Sequence, residues 1–328
     1  MVIAVAAGKG GTGKTLISAG LAQALALAGE QPVTLVDCDV EEPNADLVLH
    51  PTIESHEEVH VLVPEVDIET CTGCGACARH CEFSAIAVLR GKVMTFPELC
   101  AGCGVCAYVC PVGAIREVPR KVGTVALGRA AVSLDGRQGT VRFVQGRTEV
   151  GEQRSPPVIK AAKAHCDTEG LTILDSSPGT SCPMQETVEG VDYCLLVTEP
   201  TPFGLHDLAM AVDTCRRMGV PAGVVINRDG LGDSGPVVDY CRREGVPVLW
   251  RLAHSRAIAE AYARGSGLVE ALPETAEELA GLVERMRDEV AESGPAAEYP
   301  SERKPPAPGR VEASDPDQDA PARRPGRN

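Results

Sequence analysis

Val2-Ile3-Ala4-Val5-Ala6-Ala7-Gly8-Lys9-Gly10-Gly11-Thr12-Gly13-Lys14-Thr15 opens the chain. Val2–Ala6 reads as a short, fully buried strand that ends at glycine. Gly8-x4-Gly13-Lys14-Thr15 has the spacing of a phosphate loop. Thr15–Ala28, rich in Ala and Leu and closed by Gly29, reads as the helix after it. Val33–Asp37 is a second buried strand. Strand, glycine loop, helix and strand in this order begin a parallel α/β sheet. The loop's backbone N–H groups, from Gly8 through Gly10, Gly11, Thr12 and Gly13, suit phosphate oxygens. Lys14 would pair with the β- and γ-phosphates, and the Thr15 hydroxyl would ligate Mg²⁺. A glycine turn that only packs helix on strand is the plainer alternative.

The pattern resumes far downstream. Leu171–Asp175, Cys194–Thr198, Ala222–Asn227 and Pro247–Arg251 read as further strands. His206–Met218, Val237–Glu244, Ala257–Ala263 and Glu274–Glu292 read as helices. This alternation predicts a doubly wound, mostly parallel sheet. Leu171-Thr172-Ile173-Leu174-Asp175 is an apolar strand ending in a carboxylate, which fits a magnesium-side role for Asp175.

Between these parts the pattern breaks. Cys71-x2-Cys74-x2-Cys77-x3-Cys81 is followed by Cys100-x2-Cys103-x2-Cys106-x3-Cys110-Pro111, eight of the 14 cysteines. That spacing wraps a [4Fe–4S] cube, and in two-cluster ferredoxins the fourth cysteine of each run ligates the other cluster. Crossing the runs assigns one cluster to Cys71, Cys74, Cys77 and Cys110, the other to Cys100, Cys103, Cys106 and Cys81. Zinc is the competing reading of four thiolates, but zinc sites usually pair two CxxC knuckles. The segment is internally duplicated: Ser84-Ala85-Ile86 follows the first run as Gly113-Ala114-Ile115 follows the second. So small a segment rarely folds alone, and bound clusters would supply its core. Glu82 stands where proline follows the other run, which bears on the second cluster's surroundings. Cys38, Cys166, Cys182, Cys194, Cys215 and Cys241 form no CxxC pair and read as small core residues.

The expected organisation is a nucleotide domain in two parts, residues 1–63 and 119–292, with a ferredoxin-like α+β insert at 64–118. Lys121–Pro156 is expected to return the chain to the sheet as a hairpin. Residues 293–328 hold eight of the 25 prolines and read as a disordered tail. A formal net charge of −15 argues against a nucleic-acid surface. No apolar run is long enough to span a bilayer and no signal peptide is evident, so a cytoplasmic protein is expected.

The second lysine of Lys9-Gly10-Gly11-x-Gly13-Lys14-Thr15 resembles the deviant Walker A of the MinD/ParA/nitrogenase-iron-protein superfamily. The order phosphate loop, Asp37-x-Asp39, eight-cysteine insert, Asp175 and Asn227-Arg228 is similar to the superfamily's ATPases that carry an inserted ferredoxin domain. The resemblance covers roughly residues 1–292. It implies that Lys9 reaches across a dimer to the partner's nucleotide, so that ATP binding and dimerisation are one event. It gives Asp39 a switch I role beside Mg²⁺ and the attacking water, with Asp37 as a less certain partner. Gly179, in Ser176-Ser177-Pro178-Gly179, would offer a γ-phosphate-sensing N–H. Asn227 would read the base, and Arg228, in place of the lysine of Asn-Lys-x-Asp, favours ATP over GTP. Cys182 lies where the nitrogenase iron protein holds a cluster ligand, so a bridging ligand and a plain thiol are both open.

Three functions follow from the resemblance. The first is an ATPase that gates electron transfer through two [4Fe–4S] clusters, working as a homodimer or with a related ATPase. It would exchange electrons with a donor and an acceptor protein. Because the insert follows the Asp37/Asp39 strand directly, a switch I motion would reach it. The second is an iron–sulfur assembly or carrier ATPase, weakened by the absence of a CxxC outside the insert. The third is a positioning ATPase, for which the chain lacks both basic DNA contacts and a terminal membrane helix.

Overall fold

The computed structural model describes residues 1–167 and 169–293. From Gly294 on, the expected disordered tail lies outside the described residues. Among the described residues eleven strands run in chain order: β1 (Val2–Ala6), β2 (Val33–Asp37), β3 (Thr52–Val66), β4 (Ile86–Leu89), β5 (Lys92–Thr95), β6 (Ile115–Leu134), β7 (Arg137–Thr148), β8 (Leu171–Asp175), β9 (Tyr193–Thr198), β10 (Ala222–Asp229) and β11 (Val248–Ala253). The α-helices are α1 (Lys14–Ala28), α2 (Asp46–Leu49), α3 (Ala76–Arg79), α4 (Val105–Tyr108), α5 (Pro156–Lys163), α6 (Cys182–Val188), α7 (Pro202–Arg217), α8 (Gly235–Glu244), α9 (Arg256–Ala263), α10 (Leu268–Ala271) and α11 (Thr275–Ser293).

Nine strands form one sheet in the order β11-β10-β9-β1-β8-β2-β7-β6-β3. The first seven of that order are parallel; β6 and β3 are antiparallel additions at one edge. The central strands β1, β2 and β8 are buried on both faces, which is why they read as unbroken apolar runs. One face packs on α1, through Ile17, Leu21 and Leu25, with Leu279 and Val283 of α11 behind. The other packs on Val158 and Ile159 of α5, Met184 of α6 and Leu208 of α7. Gly20 lets α10 and α11 approach α1: a Cβ there would lie 3.2 Å from Leu268.

The β6–β7 hairpin is longer than expected. It turns at Asp135-Gly136, and its first strand begins at Ile115, inside the expected 64–118 insert. β3 and β6 pair from Thr52↔Arg129 to Val66↔Ile115, but β7 leaves β6 at Gly123↔Thr148. Residues 115–122 and their β3 partners therefore overhang the sheet as a two-stranded ribbon, roughly 25 Å long at 3.3 Å per residue. Pro119 fits within that overhang because β6 has only one neighbour there. β7 runs parallel to β2 and ends beside Asp37's strand end, so the ribbon projects from the same sheet edge as the phosphate loop. The cysteine-bearing segment 67–114 sits at its tip, built from α3, α4 and the β4–β5 hairpin.

The expectation that this segment follows the Asp37/Asp39 strand directly is corrected. α2 and the 15-residue strand β3 intervene. The link is lateral instead, through β7 and β6.

Candidate functional site

The phosphate loop sits between the C-terminal end of β1 and the N-terminus of α1, where orphan N–H groups and the helix dipole favour anions. Gly8 and Gly13 are imposed by close approach. A Cβ on Gly8 would lie 2.2 Å from the Asp207 carbonyl oxygen, and one on Gly13 would lie 2.3 Å from Asn227 Nδ2. Gly13 also has φ 96°, a region that side chains disfavour.

Two carboxylates, Asp37 and Asp175, end adjacent strands behind the loop, and a third, Asp39, lies two residues beyond β2. Asp37 and Asp175 are register partners in β2 and β8, and both are fully buried. Asp37 is committed to the backbone: Oδ1 accepts from Asp39 N at 3.1 Å, and Oδ2 accepts from the N–H groups of Asn44 and Ala45, each at 3.0 Å. It therefore shapes the 38–45 loop. Burial pushes its carboxyl up to about 8, with the Asp175 charge adding to the rise. Asp39 is raised to about 6 by burial, against the pull of Lys14, whose Nζ lies 3.9 Å from Asp39 Oδ2. Asp175 is raised by burial, opposed by Lys14 and by the nearby Thr15 and Ser18 hydroxyls, and neither of its oxygens is reached by a hydrogen bond of good geometry. A buried carboxylate so weakly partnered, beside a second carboxylate and the Thr15 hydroxyl, asks for a hard cation; Mg²⁺ takes such oxygen ligands together with phosphates.

The loop and these acids border a cavity of about 400 Å³. Its far wall is Asn227 and Arg228 from β10, then His254, Ser255, Ile258 and Tyr262 from the end of β11 and from α9. The sequence reading missed this last group. Position at the C-terminal ends of parallel strands is the signal that could have found it.

Several expected residues are present but already engaged. Lys9 pairs with Glu199 of its own chain, and Glu199 also accepts from Arg228 Nη1 at 3.0 Å. Gly179 donates its N–H to the Ala7 carbonyl at 3.0 Å, so that group is not free to meet a phosphate. Asn227, only 4% exposed, donates Nδ2 to the Thr12 carbonyl at 2.7 Å and accepts from Arg228 N at 2.8 Å. Its amide braces the phosphate loop, where base reading had been expected. Cys182 is exposed at the start of α6.

The eight patterned cysteines line two further cavities. Cys71, Cys74, Cys77 and Cys110 line one, with Val66, Val93 and Ile115 as apolar walls. Cys81, Cys100, Cys103 and Cys106 line the other, with Leu62 and Pro64 of β3. Backbone N–H groups of Gly73, Ala85, Gly102 and Ala114 point at the sulfurs of Cys71, Cys81, Cys100 and Cys110, at 3.4, 3.3, 3.4 and 3.2 Å. Among the described residues no group of three or more His, Cys, Asp or Glu side chains is placed to hold a single metal ion.

The CobQ/CobB/MinD/ParA nucleotide-binding domain matches residues 3–269. The chain belongs to this family. An uncharacterized protein of Methanocaldococcus jannaschii is 35% identical over 235 residues, 70% of this chain and 79% of the relative. A second uncharacterized protein of that organism is 24% identical, covering 82% of this chain and 92% of its own. The MinD septum site-determining protein of Pyrococcus horikoshii, solved with Mg-ADP, has a TM-score of 0.52 at 19% identity. It covers 90% of this chain and 99% of its own. That likeness carries the fold alone: a MinD/ParA-type P-loop sheet. Among the described residues no helix is long and apolar enough to cross a membrane.

Proposed function

We propose that the protein is an ATPase that dimerises on nucleotide and thereby gates electron transfer through two [4Fe–4S] clusters held by residues 64–118. The observation that carries the redox half is the lining of the two cavities: each holds three cysteines of one run and the fourth of the other. A cube bonds each thiolate to a different iron, so four sulfurs around a cavity suit it better than four converging on a point. The N–H groups aimed at four of the sulfurs suit the hydrogen bonding that cluster sulfurs accept. Cys71, Cys74, Cys77 and Cys110 would hold one cluster and Cys81, Cys100, Cys103 and Cys106 the other; such clusters carry single electrons.

At the nucleotide, Lys14 neutralises the β- and γ-phosphates while the loop N–H groups hold their oxygens. Thr15, Asp39 and Asp175 would hold Mg²⁺, which would supply positive charge against the phosphates. Asp39, the more accessible acid, orients the attacking water. Lys9 must leave Glu199 before it can meet a partner's nucleotide, so ATP competes with an internal ion pair. The relative solved with Mg-ADP supports a magnesium nucleotide in this loop.

What supports coupling is the path between the sites. Val40, next to Asp39, accepts from Thr148 N at 2.9 Å and from Thr148 Oγ1 at 3.2 Å. Gln145 Nε2 donates to Asp46 at 3.0 Å. Both residues belong to β7, which pairs with β6, and β6 pairs with β3, whose Leu62 and Pro64 wall one cysteine cavity. A shift of the 39–46 loop therefore acts on a hydrogen-bonded ladder that ends at the cysteines.

The test is electron paramagnetic resonance of reduced, anaerobically purified protein with Mg·ATP or Mg·ADP, together with electron transfer rates to a dye. Two [4Fe–4S] signals whose environment or transfer rate depends on the nucleotide are expected. Protein without iron and acid-labile sulfide, or with clusters indifferent to the nucleotide, would refute the proposal.

A further inference from the structure

The two cysteine cavities are built from a repeat, yet opposite charges face them. A shift of 29 residues superposes Cys71–Cys81 on Cys100–Cys110 and α3 on α4. Gly75 and Gly104 are equivalent under that shift, and each lines its cavity. A Cβ on Gly75 would lie 3.2 Å from Arg79 Nη1, which also donates to the Cys74 carbonyl at 3.0 Å. A Cβ on Gly104 would lie 3.3 Å from Glu117 Oε1. A guanidinium therefore stands at one cavity where a carboxylate stands at the other. The repeat does not supply either charge twice: the counterpart of Arg79 is Tyr108, and that of Glu117 is Val88.

This asymmetry has an energetic sign. Reduction adds one negative charge to a cluster. A fixed cation nearby stabilises the reduced form and raises the potential; a fixed anion opposes it and lowers the potential. Both side chains are exposed, so salt screens their effect.

We propose that Arg79 and Glu117 split the two sites into an upper-potential cluster on Cys71, Cys74, Cys77 and Cys110 and a lower-potential cluster on Cys81, Cys100, Cys103 and Cys106. This rests on the reading that both cavities hold [4Fe–4S] clusters. Each takes one electron from an external one-electron donor, and no bond or proton changes hands. The first electron rests at the Arg79 site. Only a stronger reductant fills the Glu117 site, which is walled by Leu62 and Pro64, further back along β3 than the Val66 that lines the other cavity, and is hence nearer the ATPase sheet. The two residues are positioning groups, since neither is a ligand.

The experiment is an anaerobic potentiometric titration followed by electron paramagnetic resonance on the full chain and on R79Q, E117Q and the double variant. All are measured at one pH, so that His80, which lines the Glu117 cavity, contributes equally throughout. The wild type should show two one-electron midpoints. R79Q should lower only the upper one and E117Q should raise only the lower one. Each shift is expected to be up to about tenfold in the reduction equilibrium, or about 59 mV for one electron. The double variant, and high ionic strength in the wild type, should narrow the gap. A single wild-type midpoint, no shift in either variant, or both variants moving the same midpoint would overturn the proposal. Iron and sulfide analysis keeps the two readings apart. Their absence from the wild type removes the cluster reading itself, whereas full content with unmoved midpoints removes only the inference about Arg79 and Glu117.

Discussion

Asn227→Ala separates a brace from a base reader. The wild-type amide gives Nδ2 to the Thr12 carbonyl and takes the Arg228 N–H, both within a side-chain position that is almost fully buried. Alanine leaves the Thr12 carbonyl without its donor and vacates the space against Gly13. A buried acceptor left unpaired costs about 1–3 kcal/mol, and the vacated volume adds to that. The apo protein should therefore unfold at a lower urea midpoint and melt a few degrees earlier. Asn227→Asp should be worse, because it points an oxygen at the Thr12 carbonyl. Since the phosphate loop itself loosens, ATP and GTP affinities should fall together in a titration with labelled nucleotide. Unchanged apo stability, combined with a selective loss of ATP over GTP, would refute the bracing role and restore base recognition.

Glu199→Gln should release Lys9 and strengthen ATP-dependent dimerisation by about two- to fivefold, the range expected for a partly exposed ion pair. Lys9→Ala should abolish the ATP-dependent dimer; sedimentation at graded protein concentrations reads both. The proposed magnesium-side acids Asp39, raised to about 6, and Asp175, also raised by burial, keep protons past the usual carboxylate range, and Asp37 does so to about 8, so Mg²⁺ binding at Asp39 and Asp175 should expel protons and tighten as pH rises through about 6. By the same linkage apo stability should fall as pH rises from the unfolded carboxylate range through about 8, because the native state keeps protons that the unfolded chain has lost. Calorimetry of Mg²⁺ binding in two buffers of different ionisation heat checks this, and zero proton release would contradict it. Cys74→Ala and Cys103→Ala each remove an exposed cysteine, a proposed cluster ligand, from a different cavity. Each should cost about half of the iron while leaving nucleotide affinity intact; complete loss of iron from either would argue against independent sites.

The central strands were legible because burial on both faces leaves an unbroken apolar run closed by Asp or Gly, as in Val33–Asp37 and Leu171–Asp175. The ribbon was not. β3 carries Glu54-Ser55-His56-Glu57-Glu58 with exposed residues on both faces, and β6 contains Pro119, Gly123 and Gly128, so β3 shows no half-buried alternation there and β6 alternates only over residues 128–133. Their partner is some 60 residues away, and only that pairing makes them strands. Identity was easier to read than availability. Gly179, Asn227 and Lys9 were found by spacing, but what their polar groups bond was set by Ala7, Thr12 and Glu199, which sequence distance hides. The third wall of the nucleotide cavity, His254 to Tyr262, was missed because strand order carries it there.

The chain leaves the ribbon at Val66 and re-enters it at Ile115, and those two residues face each other across an antiparallel pair. Everything in between therefore hangs from neighbouring attachment points. A short reverse turn between them would restore an uninterrupted hairpin. The ATPase sheet is in this respect a socket: evolution, or an engineer, can exchange what it carries without redrawing a strand of the machine beneath.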